Sequence, residues 1–421
     1  MTATSVRDEV VSKGKRAKAA AARLGLMTRA EKDAILLAMA EALEAASARI
    51  LAANARDVEE AQKRGVSSAP IDRLMLNEKR VAEMAEGLRV IARLTDPVGE
   101  VIGGWRLPNG LEITKVRVPL GVVGFIYESR PNVTVDAAGL CLKAGNALIL
   151  RGGSDAINSN IELAHILTEA GAKAGMPDGA IEIIETTDRE AAAQLMRLTE
   201  YVDVLIPRGG GGLIRRVKEE STVPVIETGE GNCHVFVDAS GDLDWAESIT
   251  VNAKCQRPGV CNAAETLLVH REVAAAFLPR VGAKLIALGV ELRGCDETRR
   301  YIPAAKPATE DDWATEYLAL ILAIKVVGSV EEAIAHINRY GTMHSEAIIT
   351  RDLENARRFT HEVDAAVVYV NASTRFTDGG QFGMGAEIGI SNQKLHARGP
   401  MGLAELTSHK YVVAGEGHVR P

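Results

Sequence analysis

The sequence predicts an α/β chain: two parallel-sheet domains, the first of them opened by a helical region, together with a small β arm. Three observations carry this. From Gly121 onward, short apolar runs rich in β-branched residues alternate with helical stretches, the pattern of strands buried on both faces of a parallel sheet. After Glu227 a second series of the same kind begins. Before both, the first ~95 residues are rich in Ala, Glu and Arg with apolar residues at helical spacing. A chain of 421 residues, 47% of them hydrophobic, has the material for two or three domains of ~100 to 200 residues each.

In chain order, the start from Met1 to Met27 interleaves alanines with charges and predicts a helix, not an export signal. Thr28 with Glu31 forms a capping-box pattern that opens a helix carrying Leu36, Met39, Leu43, Ala46 and Ile50 on one stripe. A third helix, from about Asn77 to Leu94, stops before Asp96 and Pro97. Two alternating runs then flank Pro108-Asn109-Gly110, a pair suited to a tight hairpin. Such a ribbon predicts an arm that pairs with another subunit. Strands of the first parallel sheet are expected at Val122 to Ile126, Ala147 to Leu150, Ile181 to Ile184, Val202 to Ile206 and Val223 to Ile226, giving a doubly wound nucleotide-binding domain. The second sheet is expected from Val235 to Val237, Thr266 to Val269, Leu318 to Val326, Ala347 to Ile349 and Ala365 to Val370. In the tail from about His396, Tyr411-Val412-Val413 offers an edge strand.

Composition narrows the function. A formal net charge of -7 leaves no broad basic surface, which argues against nucleic acid as a main partner. No window approaches the ~18 apolar residues of a membrane span, so a soluble protein is expected. The five cysteines, Cys141, Cys233, Cys255, Cys261 and Cys295, are odd in number and contain no Cys-x-x-Cys pair. They read as reduced thiols of a cytoplasmic protein, with no zinc-type spacing and no structural metal.

Several constellations have chemical potential. Pro258 and Gly259 end a helix and place Cys261 in a loop, with Lys254 and Arg257 adding positive potential that favours a thiolate; Cys255 on the helix and Cys141 on an apolar face read as core residues. Asn132 follows Pro131 at a helix start, where its amide either caps that helix or donates to an oxyanion. Glu227 ends the last strand of the first sheet, either as an acid-base residue or as a solvated strand end. Arg151-Gly152-Gly153-Ser154 closes a strand at the edge where such sheets bind ligands: the arginine suits an adenosine 2'-phosphate, or is a solvated strand end with Ser154 as a helix cap. In Arg208-Gly209-Gly210-Gly211-Gly212, Gly210 and Gly211 let backbone N–H groups approach a phosphate at a helix start, or form a plain turn. Gly383-Met384-Gly385 reads as a loop shaping a pocket, and His344-Ser345 as a surface pair with potential for substrate contact.

These pieces in this order resemble the aldehyde dehydrogenase superfamily over nearly the whole chain. The segments that carry the resemblance are Tyr127-Glu128-Ser129-Arg130-Pro131-Asn132-Val133-Thr134, Lys143-Ala144-Gly145-Asn146-Ala147, Glu227 to His234, Gln256 to Ala263, and Ala333 to Glu346. The last is similar to a signature of the branch that reduces L-glutamyl 5-phosphate. The resemblance implies an aldehyde-dehydrogenase-like fold: an NADP-binding domain at 1–100 and 118–227, a catalytic domain at 228–395, and an oligomerisation arm and tail at 101–117 and 396–421.

It also implies roles. Cys261 stands as the nucleophile, Asn132 as the oxyanion donor, and Arg151 where relatives carry a lysine near the adenosine ribose. Glu316 matches the glutamate that holds the nicotinamide ribose. Glu227 aligns with the base of hydrolytic relatives, a role that a phosphate-releasing reaction does not require. The implied reaction is NADPH-dependent reduction of L-glutamyl 5-phosphate to L-glutamate 5-semialdehyde and phosphate through a cysteine thioester, in proline biosynthesis. Arg257, His344, Ser345 and Arg375 are the candidate grips on the substrate. A homo-oligomer is expected, with transient contact to glutamate 5-kinase as a further expected partner. The rival expectations are a CoA-linked or hydrolytic member of the superfamily and a catalytically inert nucleotide-binding scaffold.

Overall fold

The structure, a computed structural model, describes residues 3–66, 68–128 and 130–420, without the side chains of residues 3–5 and 68–70; Ser129 of the 127–134 segment lies outside the described residues. It divides into two compact units, one of residues 1–227, 383–389 and 401–421 and the other of 228–382 and 390–400. The segment 383–389, expected in the second domain, packs with the first unit instead, where Gly385 approaches Leu94.

The first unit opens with α1 (Ala3–Leu24), α2 (Arg29–Ala45), α3 (Ser47–Lys63), α4 (Ser68–Leu74) and α5 (Glu78–Arg93). Thr28 and Glu31 exchange the two bonds of a capping box, with the Thr28 N–H donating to the Glu31 carboxylate at 2.7 Å. The stripe expected on one helix is shared by two, because the chain leaves helical geometry at Ala46 (φ -95, ψ 11). The hairpin forms as β1 (Val101–Arg106) and β2 (Glu112–Pro119), and the tail adds β16 (Thr407–Ala414) antiparallel along β2. The parallel sheet comprises β3 (Val122–Tyr127), β4 (Ala147–Gly152), β5 (Ile181–Ile183) and β6 (Val204–Arg208) in the order β5-β4-β3-β6. Counted from β3 this is the order 3-2-1-4, four strands of a doubly wound nucleotide-binding sheet with its reversal between β3 and β6. Its helices are α6 (Asn132–Lys143), α7 (Ile157–Lys173), α8 (Arg189–Leu195) and α9 (Gly211–Glu220). The strand expected at Val223 to Ile226 reduces to a single bridge between Val225 and Leu205. Pro224 has no N–H to extend the ladder, although its carbonyl accepts from Leu205 at 2.8 Å.

The second unit holds a seven-stranded parallel sheet in the order β10-β9-β11-β8-β7-β12-β13. Its strands are β7 (Cys233–Val237), β8 (Ala264–His270), β9 (Glu291–Gly294), β10 (Lys306–Pro307), β11 (Ile321–Val327), β12 (Ser345–Ile349) and β13 (Val367–Val370), and a separate short antiparallel pair is formed by β14 (Ile390–Ser391) and β15 (Gly399–Pro400). Helices α10 (Leu243–Cys255), α11 (Arg271–Ala287), α12 (Asp296–Tyr301), α13 (Glu310–Trp313), α14 (Val330–Tyr340) and α15 (Leu353–Glu362) cover it. The continuous apolar run of β7 follows from burial on both faces. Val235 and Val237 join a cluster with Phe277 and Leu278, while Phe236 joins another with Ile334, Ile337 and Phe359. Strand β9 was not expected from the sequence. Leu318, expected in β11, instead takes φ 52, which no strand residue adopts, and β11 begins at Ile321.

Candidate active site

In the second unit, Cys261 sits in the turn between α10 and β8, partly exposed, where Pro258 and Gly259 end helical geometry. Three neighbours fix its backbone. A Cβ added to Gly231 would lie 1.5 Å from the Cys261 carbonyl oxygen, so only a glycine lets the 228–232 loop pass this close. From below, the buried Cys233 thiol donates to the same carbonyl at 3.2 Å; burial pushes this thiol well above its ordinary pKa and keeps it a donor at neutral pH. On the other side Asn262, buried, donates to the Thr377 carbonyl at 2.8 Å, and its own carbonyl accepts from Thr374 Oγ1 at 2.7 Å.

Glu316 reaches the same loop. Its Oε1 accepts the Gly231 N–H at 2.7 Å, so Glu316 and Cys261 meet one glycine from different directions. Burial raises the Glu316 pKa from its ordinary value, and the bond from Gly231 opposes that rise. Asn232 ties the 227–234 segment to the 333–346 segment, its amide donating to the Tyr340 carbonyl and also to that of Trp313, at 2.8 Å each. Arg375 donates from Nε to Gln256 Oε1 at 2.9 Å and from Nη1 to Asn262 Oδ1, which places its guanidinium on the residue next to Cys261. Arg257 is exposed beside Gln256.

Two expectations need correction here. His344 and Ser345 are buried and not a surface pair. His344 Nδ1 and Ser345 Oγ lie 2.8 Å apart, and Ser345 continues to Thr377 Oγ1 at 2.7 Å, a core hydrogen-bond chain in which the serine hydroxyl is already engaged. Lys254 does not lend its charge to the cysteine loop as a solvated cation. It is buried against Glu265 at 2.5 Å, with burial lowering its pKa and raising that of Glu265 to about 7. Cys255 is partly buried against the core, and Cys141 fully buried.

In the first unit, Asn132 is the first residue of α6 and exposed. Its amide does not cap the helix; Nδ2 donates to Asp136 Oδ2 at 2.9 Å. Burial raises the Asp136 pKa to about 6, against the lowering influence of Asn132 and Arg208. At the carboxyl ends of β3, β4 and β6 lies a cavity of about 430 Å³, lined among others by Arg151, Ser154, Arg189, Gly212 and Arg216. Arg151 donates from Nη2 to the carbonyls of Thr187 and Asp188, while its buried Nε has no partner. Burial lowers the Arg151 pKa, and the neighbouring Arg216 cation adds to the effect. Three guanidiniums, those of Arg151, Arg189 and Arg216, around one cavity suit a phosphate-bearing ligand.

Of the glycines singled out, Gly153 and Gly212 face this cavity, whereas Gly152 is buried and receives Arg151 Nη1 on its carbonyl. Gly210 caps α9, ahead of Gly211, and its N–H already donates to Glu128 Oε2 at 3.0 Å. A Cβ on Gly209 would lie 2.4 Å from that carboxylate, which would have to shift to admit it. Glu227 is not at a strand end; it pairs with Lys218 at 3.0 Å. Sequence reasoning missed Arg189, Arg216, Glu128 and Asp136. Arg189 and Arg216 form no motif with Arg151, whereas Glu128 shares the 127–134 segment with Asn132 and Asp136 stands one helical turn after it, placements that could have signalled both. No group of described residues could hold a metal ion, and no helix among them is long and apolar enough to cross a membrane.

Comparison with known proteins places this geometry. The aldehyde dehydrogenase family pattern matches residues 2–300 and 302–412. The chain is 62% identical over 413 residues to the gamma-glutamyl phosphate reductase of Carboxydothermus hydrogenoformans, covering 98% of this chain and 100% of the relative. It is 63% identical over 412 residues to that of Moorella thermoacetica, covering 98% and 99%. The crystal structure of gamma-glutamyl phosphate reductase from Thermotoga maritima superimposes with a TM-score of 0.96 at 54% identity, covering 98% of this chain and 100% of that one. With its two parallel sheets and its cysteine turn, the chain belongs to the aldehyde dehydrogenase family, alongside the gamma-glutamyl phosphate reductases within it.

Proposed function

We propose that this chain reduces L-glutamyl 5-phosphate to L-glutamate 5-semialdehyde with release of phosphate, as a step of proline biosynthesis, using NADPH and a thioester on Cys261. The observation that carries the reading is the partly exposed Cys261, its carbonyl held by Cys233 and closed over by Gly231 in a chain about 60% identical to reductases of that name.

The chemistry follows from what each residue can do. A thiolate at Cys261 attacks the acyl carbon and expels phosphate, leaving a thioester, which accepts hydride more readily than a carboxylate. The Cys261 backbone N–H and the Asn132 amide stabilise the oxygen that turns negative. Asn132 has two amide hydrogens, of which one goes to Asp136 and the other serves this role. When bound, the reduced nicotinamide supplies the hydride. Arg151, with Arg189 and Arg216 beside it, is the grip for an adenosine 2'-phosphate, which favours NADP over NAD. Ser154 and Gly212 line that cavity, and Glu316 is the ribose-holding carboxylate. Glu227, paired with Lys218, is assigned no proton transfer, because phosphate leaves by displacement and no water enters. Arg257 and Arg375 are the substrate's cationic contacts; His344 and Ser345 support the loop from within the core. The chain acts as a homo-oligomer joined through the sheet of β1, β2 and β16, in the cytoplasm, and meets glutamate 5-kinase transiently.

The deciding assay is reverse turnover of L-glutamate 5-semialdehyde with NADP+. Turnover that requires inorganic phosphate supports the reading. Turnover that yields glutamate without phosphate, or an acyl-CoA when CoA is supplied, rejects it.

A further inference from the structure

Two cations stand at the cysteine turn, and the substrate carries two anionic ends, so the geometry decides which end each cation meets. We infer that Arg375, with Arg257 beside it, holds the phosphate of the acyl phosphate while Cys261 displaces it, and so acts as a catalytic residue. The inference rests on the acyl-phosphate reading above and adds to it the group that receives the leaving charge.

Arg375 is anchored at both edges of the turn that presents Cys261, through Gln256 before it and Asn262 after it. Both acceptors are neutral amides, so neither cancels the guanidinium charge. A guanidinium has five N–H donors, and these two contacts leave three in one planar fork, a shape that matches phosphate oxygens. Asn262 is itself locked by Thr374 and Thr377, so the fork is set before any substrate arrives. Arg257 follows Gln256 directly and is exposed, and its charge is felt at Arg375, whose pKa is lowered first by burial and next by Arg257. Cys261 and the Asp378 carboxylate act on Arg375 in the opposite sense, Cys261 the more strongly of the two.

Chemistry then selects the phosphate end. The phosphorus is joined to the attacked carbon through one oxygen, whereas the α-carboxylate lies at the far end of the side chain. A cation fixed to the residue next to the nucleophile therefore meets the nearer anion. The sulfur–carbon bond forms and the carbonyl oxygen takes the negative charge; as that oxygen restores its double bond, the carbon–oxygen bond to phosphate breaks and its electron pair leaves with the phosphate oxygen. Nothing is oxidised in this step. Charge on the departing phosphate grows through the transition state, so a preset cation there contributes to rate and not only to binding.

The test uses the full-length enzyme in the oxidative direction, with L-glutamate 5-semialdehyde, NADP+ and inorganic phosphate varied separately. In R375K and R375Q the KM for phosphate is expected to rise about tenfold or more, and the semialdehyde KM to stay within about twofold. The first-turnover burst of NADPH, which needs the thiolate but no phosphate, is expected to persist. An unchanged phosphate KM, or a semialdehyde KM that rises instead, overturns the assignment. Because Arg375 also anchors Asn262, R257Q is measured alongside. It leaves that anchor intact, so a several-fold rise in phosphate KM there supports the inference even if the Arg375 variants misfold, and no rise overturns it. A wild-type enzyme whose turnover ignores phosphate would instead reject the acyl-phosphate reading itself.

Discussion

A methyl group at position 231 has no space: it would overlap the Cys261 carbonyl oxygen at 1.5 Å, an approach that no rotamer change relieves because the neighbour is backbone. G231A is therefore expected to push the cysteine turn out of place and to lower both kcat, measured by turnover, and the melting temperature, measured by thermal unfolding. Replacing the nucleophile itself separates chemistry from fold. C261S is expected to lose roughly 10⁴-fold or more in turnover while its melting temperature stays within about 2 °C of wild type; activity near the wild-type level would remove Cys261 from the mechanism. Asp136 makes a pH prediction. Its pKa is raised by burial from 3.8 to about 6, so the folded protein holds that proton more tightly than the unfolded chain. The contribution favours the fold below pH ~4, declines between pH ~4 and ~6, and is fully lost above. D136N, whose amide carbonyl still accepts from Asn132, is expected to melt higher than wild type at pH 8 and equally at pH 4. The placement of Cys261 in a turn and of Asn132 at a helix start was legible in the sequence, because each sits beside a helix-breaking or helix-starting residue. Asp136 and Gly231 were not singled out, because what they do depends on a partner met across a helical turn or a loop crossing.

At the scale of elements, the ends of the strands govern what sequence could foresee. Runs with both faces in the core, such as Val122 to Ile126 and Val235 to Val237, were plain because every position is apolar. β9 was not, since Glu291 and Arg293 pair with each other on its more exposed face and dilute the apolar signal. The buried pair between Lys254 on α10 and Glu265 on β8 shows the same limit: sequence shows a lysine near a cysteine, and only packing shows that its charge is already answered. K254M would leave the Glu265 carboxyl buried without its cation, a loss of about 3 to 5 kcal/mol. The double variant K254M/E265L is expected to recover most of that loss. Denaturant unfolding of the three variants checks it, and a K254M chain as stable as wild type would mean that Glu265 is protonated in the fold and never needed the lysine.

At the scale of the whole molecule, the hairpin and the tail were legible separately, and the structure joins them into one three-stranded sheet in the first unit. That sheet leaves Val101, Trp105, Tyr411 and Val413 about half exposed, at 61%, 49%, 54% and 54%. Trp105 and Tyr411 already pack edge to face at 6.2 Å, so the patch is ordered and apolar rather than frayed. Its outer strands, β1 and β16, each have an unpaired backbone edge, and natural sheets seldom leave apolar edges of this kind open to water. A second copy of the chain covers such a surface without new chemistry, which is why the homo-oligomer is proposed to form here. W105E and Y411E place a carboxylate in the centre of the patch, where burial against another subunit would cost several kcal/mol. Each is expected to shift the mass measured by light scattering from the oligomer to a smaller species at micromolar concentration, with the first-turnover burst retained. An unchanged mass in both variants, from a wild type that is itself oligomeric, would move the subunit contact away from this sheet.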